Sequence, residues 1–251
     1  MARPAWLAGT MTGSGTPGGL ARRIVMLYVG LALYGASGAL QVRSGLGLDP
    51  WDVLHQGIAD HTGLAIGTVS IVVGAVVLLG WIPLRQWPGL GTVSNVAGVG
   101  SSMNATLALL PGRAGLPWRI AEMLGGILLC GLASGMYIGA RFGPGPRDGL
   151  MTGLARRTGR SLRLVRVCLE LTVLAIGWLL GGTVGVGTVL FAVAIGPLVQ
   201  FFLPLFNPAP PNIANPARQA DGCGSQPPTA VSLSQPSGEG EGALAAPPIP
   251  S

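Results

Sequence analysis

A seventeen-residue pattern occurs twice in this chain, and that repetition constrains the fold more than any other feature. Gly47-Leu-Asp-Pro-Trp-Asp-Val-Leu-His-Gln-Gly-Ile-Ala-Asp-His-Thr-Gly63 returns 96 residues later as Gly143-Pro-Gly-Pro-Arg-Asp-Gly-Leu-Met-Thr-Gly-Leu-Ala-Arg-Arg-Thr-Gly159, with eight identities and no gap. The same offset joins Leu20 to Leu116, Arg23 to Arg119, Gly30 to Gly126, Gly35 to Gly131, Gly91 to Gly187, Thr92 to Thr188 and Gly100 to Gly196. A tandem duplication explains all of these at once.

Each copy reads locally as a short helix with defined ends. Asp49 can cap the first, Pro50 suits a first helical position where its missing N–H is no loss, and Asp52 closes a capping box. Gly63 and Gly159 are the stops. Trp51, Leu54 and Ile58 share one face, and Leu150 and Leu154 repeat two of those positions, so one side of each helix is apolar. About a dozen residues at about 1.5 Å each reach only some 18 Å, too short to cross a bilayer. Two placements remain open: an amphipathic helix in the interface, or a half-helix dipping inward with its N-terminal amides aimed at a solute.

Around these helices the chain is apolar. With 49% hydrophobic and 10% charged residues, against roughly a quarter charged in an ordinary soluble domain, it reads as an all-α integral membrane protein. Uncharged or nearly uncharged runs give six expected transmembrane helices: Ile24–Val42, Leu64–Leu84, Gly91–Leu110, Ile120–Ala140, Leu164–Leu180 and Thr183–Leu205. The third is interrupted by Thr, Ser and Asn and carries small residues, which reads as a span shielded from lipid by its neighbours. The last is expected to break or bend near Pro197. Glu122 is placed in the first turn of the fourth span, serving its dipole. Cys130 and Cys168 read as buried small hydrophobes and Cys223 lies in the tail, with no disulfide or metal spacing.

The expected organisation is a disordered cytoplasmic tail over 1–19, membrane repeats over 20–110 and 111–206, and a disordered Pro/Ala/Ser/Gly-rich tail over 207–251. Three spans per repeat is an odd number, so the two repeats are expected to be inverted relative to each other. All 15 basic residues are arginines. With the N-terminus inside, only Arg43, Arg113 and Arg119 fall outside, which predicts cytoplasmic N- and C-termini in a multi-pass membrane protein.

Eight residues are the candidate substrate-binding set: Asp49, Asp52, His55, Asn95, Asn104, Arg147, Asp148 and Gln200. Asp52 and Asp148 recur at the helix N-termini, with simple capping as their alternative role. His55 shares a face with Asp52. Arg147 replaces Trp51 in the second copy, so one site favours anions and the other, beside three acids, suits a cation or an aromatic solute. Asn104 and Gln200 are equivalent and polar inside spans, as Asn95 is polar inside its own, where interhelical hydrogen bonding and solute contact both remain open. Glu170 sits one turn after Arg166, where an acid usually faces a partner or a cavity, and reads as a local ion pair in preference to a proton relay.

No nucleophile, zinc or phosphate-loop motif is present, so the expectation is no catalytic residues, no metal, no cofactor and no enzyme. The expected partners are the lipid bilayer, a small-molecule solute, and either a partner membrane protein or a second copy in a homo-oligomer. The arginines fall in loops, and no nucleic acid is expected.

The motif Gly47-Leu-Asp-Pro-Trp-Asp-Val-Leu-His55, its counterpart Gly143-Pro-Gly-Pro-Arg-Asp-Gly-Leu-Met151, Gly-Trp-Leu-Leu-Gly-Gly182 and Gly-Thr-Val-Leu-Phe191 resemble the YczE-like branch of the YitT-type bacterial membrane proteins, over Leu20 to about Phe206. The resemblance implies a multi-span bacterial inner-membrane protein and supplies no activity. Two functions are therefore carried forward. One is a small-solute transporter or substrate-binding membrane component built from an inverted repeat. The other is a non-transporting membrane protein that regulates or anchors a partner.

Overall fold

A computed structural model describes residues 17–110, 112 and 115–206, all of whose regular elements are helical. They are α1 (Pro17–Ser44), α2 (Pro50–Thr62), α3 (Ile66–Leu79), α4 (Leu90–Leu109), α5 (Leu116–Gly139), α6 (Pro146–Thr158), α7 (Leu162–Leu179) and α8 (Val186–Phe206). The expected tail over 207–251 and most of that over 1–19 lie outside the described residues, while Pro17 to Gly19 already belong to α1.

The backbone repeats with the sequence. Among the described residues, left-handed or otherwise positive φ angles occur in equivalent pairs: Gly45 (58°) with Arg141 (58°), Gly47 (129°) with Gly143 (118°), Gly63 (71°) with Gly159 (66°), and Arg85 (52°) with Gly181 (86°). The two glycine stops are left-handed C-caps, a conformation that side chains resist. Where Arg141 and Arg85 adopt it, the turn geometry overrides the preference for glycine.

α1 and α5 lie along each other at the centre, α4 lies on α1, and α8 on α5. The short helices cross over: α2 rests on α7 of the other half, and α6 rests on α3. Paired hydrogen bonds tie the halves together. Gly91 N–H donates to Phe142 O and Gly187 N–H to Leu46 O, both at 2.9 Å. Arg23 donates to the carbonyls of Ala140 and Arg141 (3.0 and 3.3 Å), and the equivalent Arg119 to those of Ser44 and Gly45 (2.6 and 3.1 Å). Each arginine thus serves carbonyls left without partners where the opposite half's first helix ends.

Three small apolar clusters replace a single core, centred on Leu27 and Tyr137, on Val69 and Met103, and on Ile127 and Phe191. The outward faces are apolar too: Val186 is 83% exposed, Val193 70% and Leu179 82%. A surface of that kind suits hydrocarbon and not water. Gly19–Ser44, Leu116–Gly139 and Val186–Phe206 are long and apolar enough to cross a membrane, and α2 with α3, bent by 113°, would make a fourth such segment.

Several expectations change. The span expected over Leu64–Leu84 is a 14-residue helix, because the chain turns at Gly80; at about 1.5 Å per residue, its roughly 21 Å fall short of a hydrocarbon core. α4 is not shielded all round: Val93, Ala97, Ser101 and Ala105 form an outward stripe. α8 runs unbroken through Pro197 and Pro204. α5 starts at Leu116, so Glu122 lies beyond its first turn and pairs with Arg43 of α1 at 3.1 Å instead of serving a helix dipole. Cys130 is buried, whereas Cys168 faces outward.

Candidate functional site

α2 begins with its cap formed. Asp49 Oδ1 accepts from the N–H groups of Trp51 (2.9 Å) and Asp52 (3.0 Å), and Pro50 occupies the first turn. Asp52, expected to close a capping box, turns to His55, whose Nδ1 lies 3.0 Å from its Oδ1. The helix is not the one-sided amphipath that its pattern suggests. Trp51, Val53, His55, Gly57 and Ala59 are all buried, on several faces, because α7 and α3 enclose it.

α6 caps itself differently, since Gly145 stands where Asp49 does and has no side chain to offer. Tyr137 of α5 fills the gap. Its hydroxyl accepts from Gly145 N–H (3.2 Å) and donates to Asp148 Oδ2 (2.9 Å), so the carboxylate serves the helix start through a tyrosine of another helix. Arg147 reaches across to the first half, donating to the Tyr34 hydroxyl and placing Nη1 3.7 Å from Asp49 Oδ1. Tyr34 and Tyr137 meet edge to face, their centroids 6.4 Å apart. The N-termini of both short helices therefore converge on one place.

That place is a cavity of about 490 Å³, within the range of roughly 300–1,000 Å³ that small-molecule pockets occupy. Of the eight candidates, Asp52, His55, Asn95, Arg147, Asp148 and Gln200 line it. Asp49 stands behind the wall, joined to it through Arg147. Asn104 belongs elsewhere: its Oδ1 accepts from Gly67 N–H (2.9 Å) and its Nδ2 donates to Thr68 Oγ1 (3.1 Å), completing the start of α3. There it supplies the side-chain cap that Ala65 lacks.

Sequence reasoning missed part of the lining. Tyr34 and Tyr137 drew no attention, although all three of the chain's tyrosines fall inside spans, which was a usable signal, and these two line the cavity. Arg166 and Glu170, read only as a local pair, do bond at 3.0 Å, yet both also line the cavity. Trp51 contributes to the wall while 6% exposed, and its buried indole N–H has no acceptor in the protein. Among the described residues no three His, Cys, Asp or Glu side chains assemble as a metal site requires. The chemistry on offer is recognition by carboxylates, two guanidiniums, an imidazole and aromatic rings.

Comparison with known proteins bears on the whole of this architecture. Residues 21–204 match the model of a family of unknown function, DUF6198. A protein of Haemophilus influenzae described as an uncharacterized protein is 43% identical over 182 residues, covering 72% of this chain and 84% of its own length. The uncharacterized membrane protein YczE of Bacillus subtilis is 34% identical over 189 residues, 74% of this chain and 87% of its own. YyaS of the same organism, also described as uncharacterized, is 23% identical over 181 residues, 70% and 90%. No solved structure matches.

Proposed function

We propose, from the premise that this chain belongs to the DUF6198 family and, like its relative YczE, is a membrane protein, that it binds a small solute in the central cavity and carries it across the membrane. One observation carries the reading: the N-termini of two equivalent short helices, one from each half, converge with Asp52, His55, Arg147 and Asp148 on a single cavity of about 490 Å³. Fixed dipoles and side-chain charges at helix starts are what a buried solute site needs where water is scarce. In this reading α1, α3 and α4 form one set and α5, α7 and α8 an inverted second, the 14-residue α3 reaching only part of the way across, and α2 and α6 are re-entrant. Their burial against α7 and α3 supports that over a helix lying on the surface. The membrane is the bacterial inner membrane, both termini are cytoplasmic, and no bond is made or broken in the solute.

The test is thermal unfolding of the purified full chain in detergent across a panel of metabolites. A solute at a hundred times its Kd stabilises by about 2.7 kcal/mol, which shifts a melting temperature measurably. The expected outcome is that at least one solute raises the Tm of the parent, that Asp52→Asn abolishes the rise, and that the ligand-free Tm of the variant matches the parent. A parent that no solute stabilises, and that moves none of the panel into proteoliposomes, would favour a protein that anchors or regulates a partner.

A further inference from the structure

The two halves differ at one crossing, and the difference decides how the cavity communicates with its surroundings. In the first half α3 lies on α4 through Gly67 and Gly100, so closely that a Cβ on either would overlap the carbonyl of the other, and Asn104 clasps the start of α3. In the second half Arg163 stands where Gly67 does, Gly196 where Gly100 does, and Gln200 where Asn104 does. No comparable packing joins α7 to α8. A Cβ on Gly196 would meet open space, and Gly196 and Gln200 are exposed while lining the cavity. An arginine side chain cannot enter a crossing that needs glycine on both helices, so the gap is built into the sequence.

The gap opens between two helices whose flanking faces are apolar. Val167, Leu171, Val189 and Val193 are all between half and three-quarters exposed. Gly196 lies midway along α8, which, with α8 crossing the membrane, is the level of the hydrocarbon. Charge inside the cavity is unbalanced. Asp52, Asp148 and Glu170 line it with Arg147 and Arg166, and Asp49 adds a fourth carboxylate against Arg147. Counted as groups, the carboxylates outnumber the guanidiniums four to two.

Building on the solute-binding reading above, we infer that the substrate class is a membrane-partitioning organic cation, which enters the cavity sideways from lipid through the α7–α8 gap. Apolar surface lets such a molecule concentrate in the bilayer, Asp52 and Asp148 favour its charge over a neutral or anionic amphiphile, and Gly196 leaves room at the entrance.

The full chain in lipid nanodiscs is titrated with rhodamine 6G, a lipophilic cation, and binding is read by fluorescence polarisation. Tetramethylammonium serves as a water-preferring competitor and fluorescein as an anion of related shape. Saturable rhodamine binding is expected, weakened about tenfold or more by Asp52→Asn and by Gly196→Phe, which fills the gap, and unchanged by Gly196→Ala. Tetramethylammonium should not compete. Rhodamine binding that Gly196→Phe leaves intact, or competition by tetramethylammonium at equal concentration, overturns the lipid route. Preference for fluorescein overturns the charge assignment. If the metabolite panel yields a ligand while rhodamine does not bind, the substrate class falls and the solute-binding reading stands; if neither binds, both fall.

Discussion

Val53 and Gly149 stand at equivalent places in the two short helices, and Trp81 and Gly177 at equivalent places in the segments they press on. Both crossings demand a glycine, but on opposite partners. A Cβ on Gly149 would fall inside the Trp81 indole, whose N–H donates to Pro146 O at 3.0 Å, whereas a Cβ on Gly177 would lie 2.5 Å from Leu54 N. Bulk has been exchanged between the copies while the close approach has been kept. Gly149→Ala is therefore expected to destabilise the protein by about 1–3 kcal/mol, the usual range for overpacking. Gly196→Ala, facing open space, should leave the Tm in detergent unchanged, and equal Tm values for both variants would disprove the close fit. The aspartates separate in the same way. Asp49→Ala removes a cap that bonds two amides and should cost about 0.5–2 kcal/mol, whereas Asp52, whose Oδ1 meets only the His55 ring, should tolerate Asn with little loss of stability.

At the scale of the element, the side chains of Asn104 and Gln200 occupy equivalent positions with unlike work. Asn104 holds two polar groups at the start of α3, so Asn104→Leu strands the Gly67 N–H donor and the Thr68 hydroxyl acceptor at a cost of about 1–3 kcal/mol. Gln200→Leu should leave thermal unfolding where it is and change only ligand binding; a drop in Tm equal to that of Asn104→Leu would place Gln200 in the fold and not in the site. Helix ends were legible in the sequence because capping is local: Asp49, Pro50, Gly63 and Gly159 act within a few residues of themselves. Most of the longer helices were legible from apolar runs. What surrounds α2 was not, because its enclosure depends on α7, more than a hundred residues away, and a pattern with Trp51, Leu54 and Ile58 on one face says nothing about a second wall behind Val53 and Gly57. The gap at Gly196 was hidden for a related reason: a conserved offset pairs it with Gly100, and only the packing shows that one crossing is filled and the other is not.

Among the described residues the halves are interlocked, since α2 rests on α7 and α6 on α3 of the opposite half, and Arg23 and Arg119 each complete the other half's first helix. Arg119, together with Arg43, also bears on orientation. Arg43 and Arg119, two of the three arginines that a cytoplasmic N-terminus leaves outside, are engaged by Glu122 and by the carbonyls of Ser44 and Gly45. Structural demand thus accounts for exceptions that would otherwise weigh against the positive-inside bias. The inverted arrangement makes one prediction that the interlocking alone does not, because a parallel duplication could share every helix boundary and still place both short helices on one side. Asp60 and Arg156 are exposed near the C-terminal ends of α2 and α6. With Cys130, Cys168 and Cys223 replaced, a single cysteine at position 60 should react with a membrane-impermeant maleimide added to whole cells. One at position 156 should react only after the membrane is opened. Labelling of both from the same side would leave the duplication intact and remove the inversion, and with it the argument that the cavity sits between two oppositely directed half-helices.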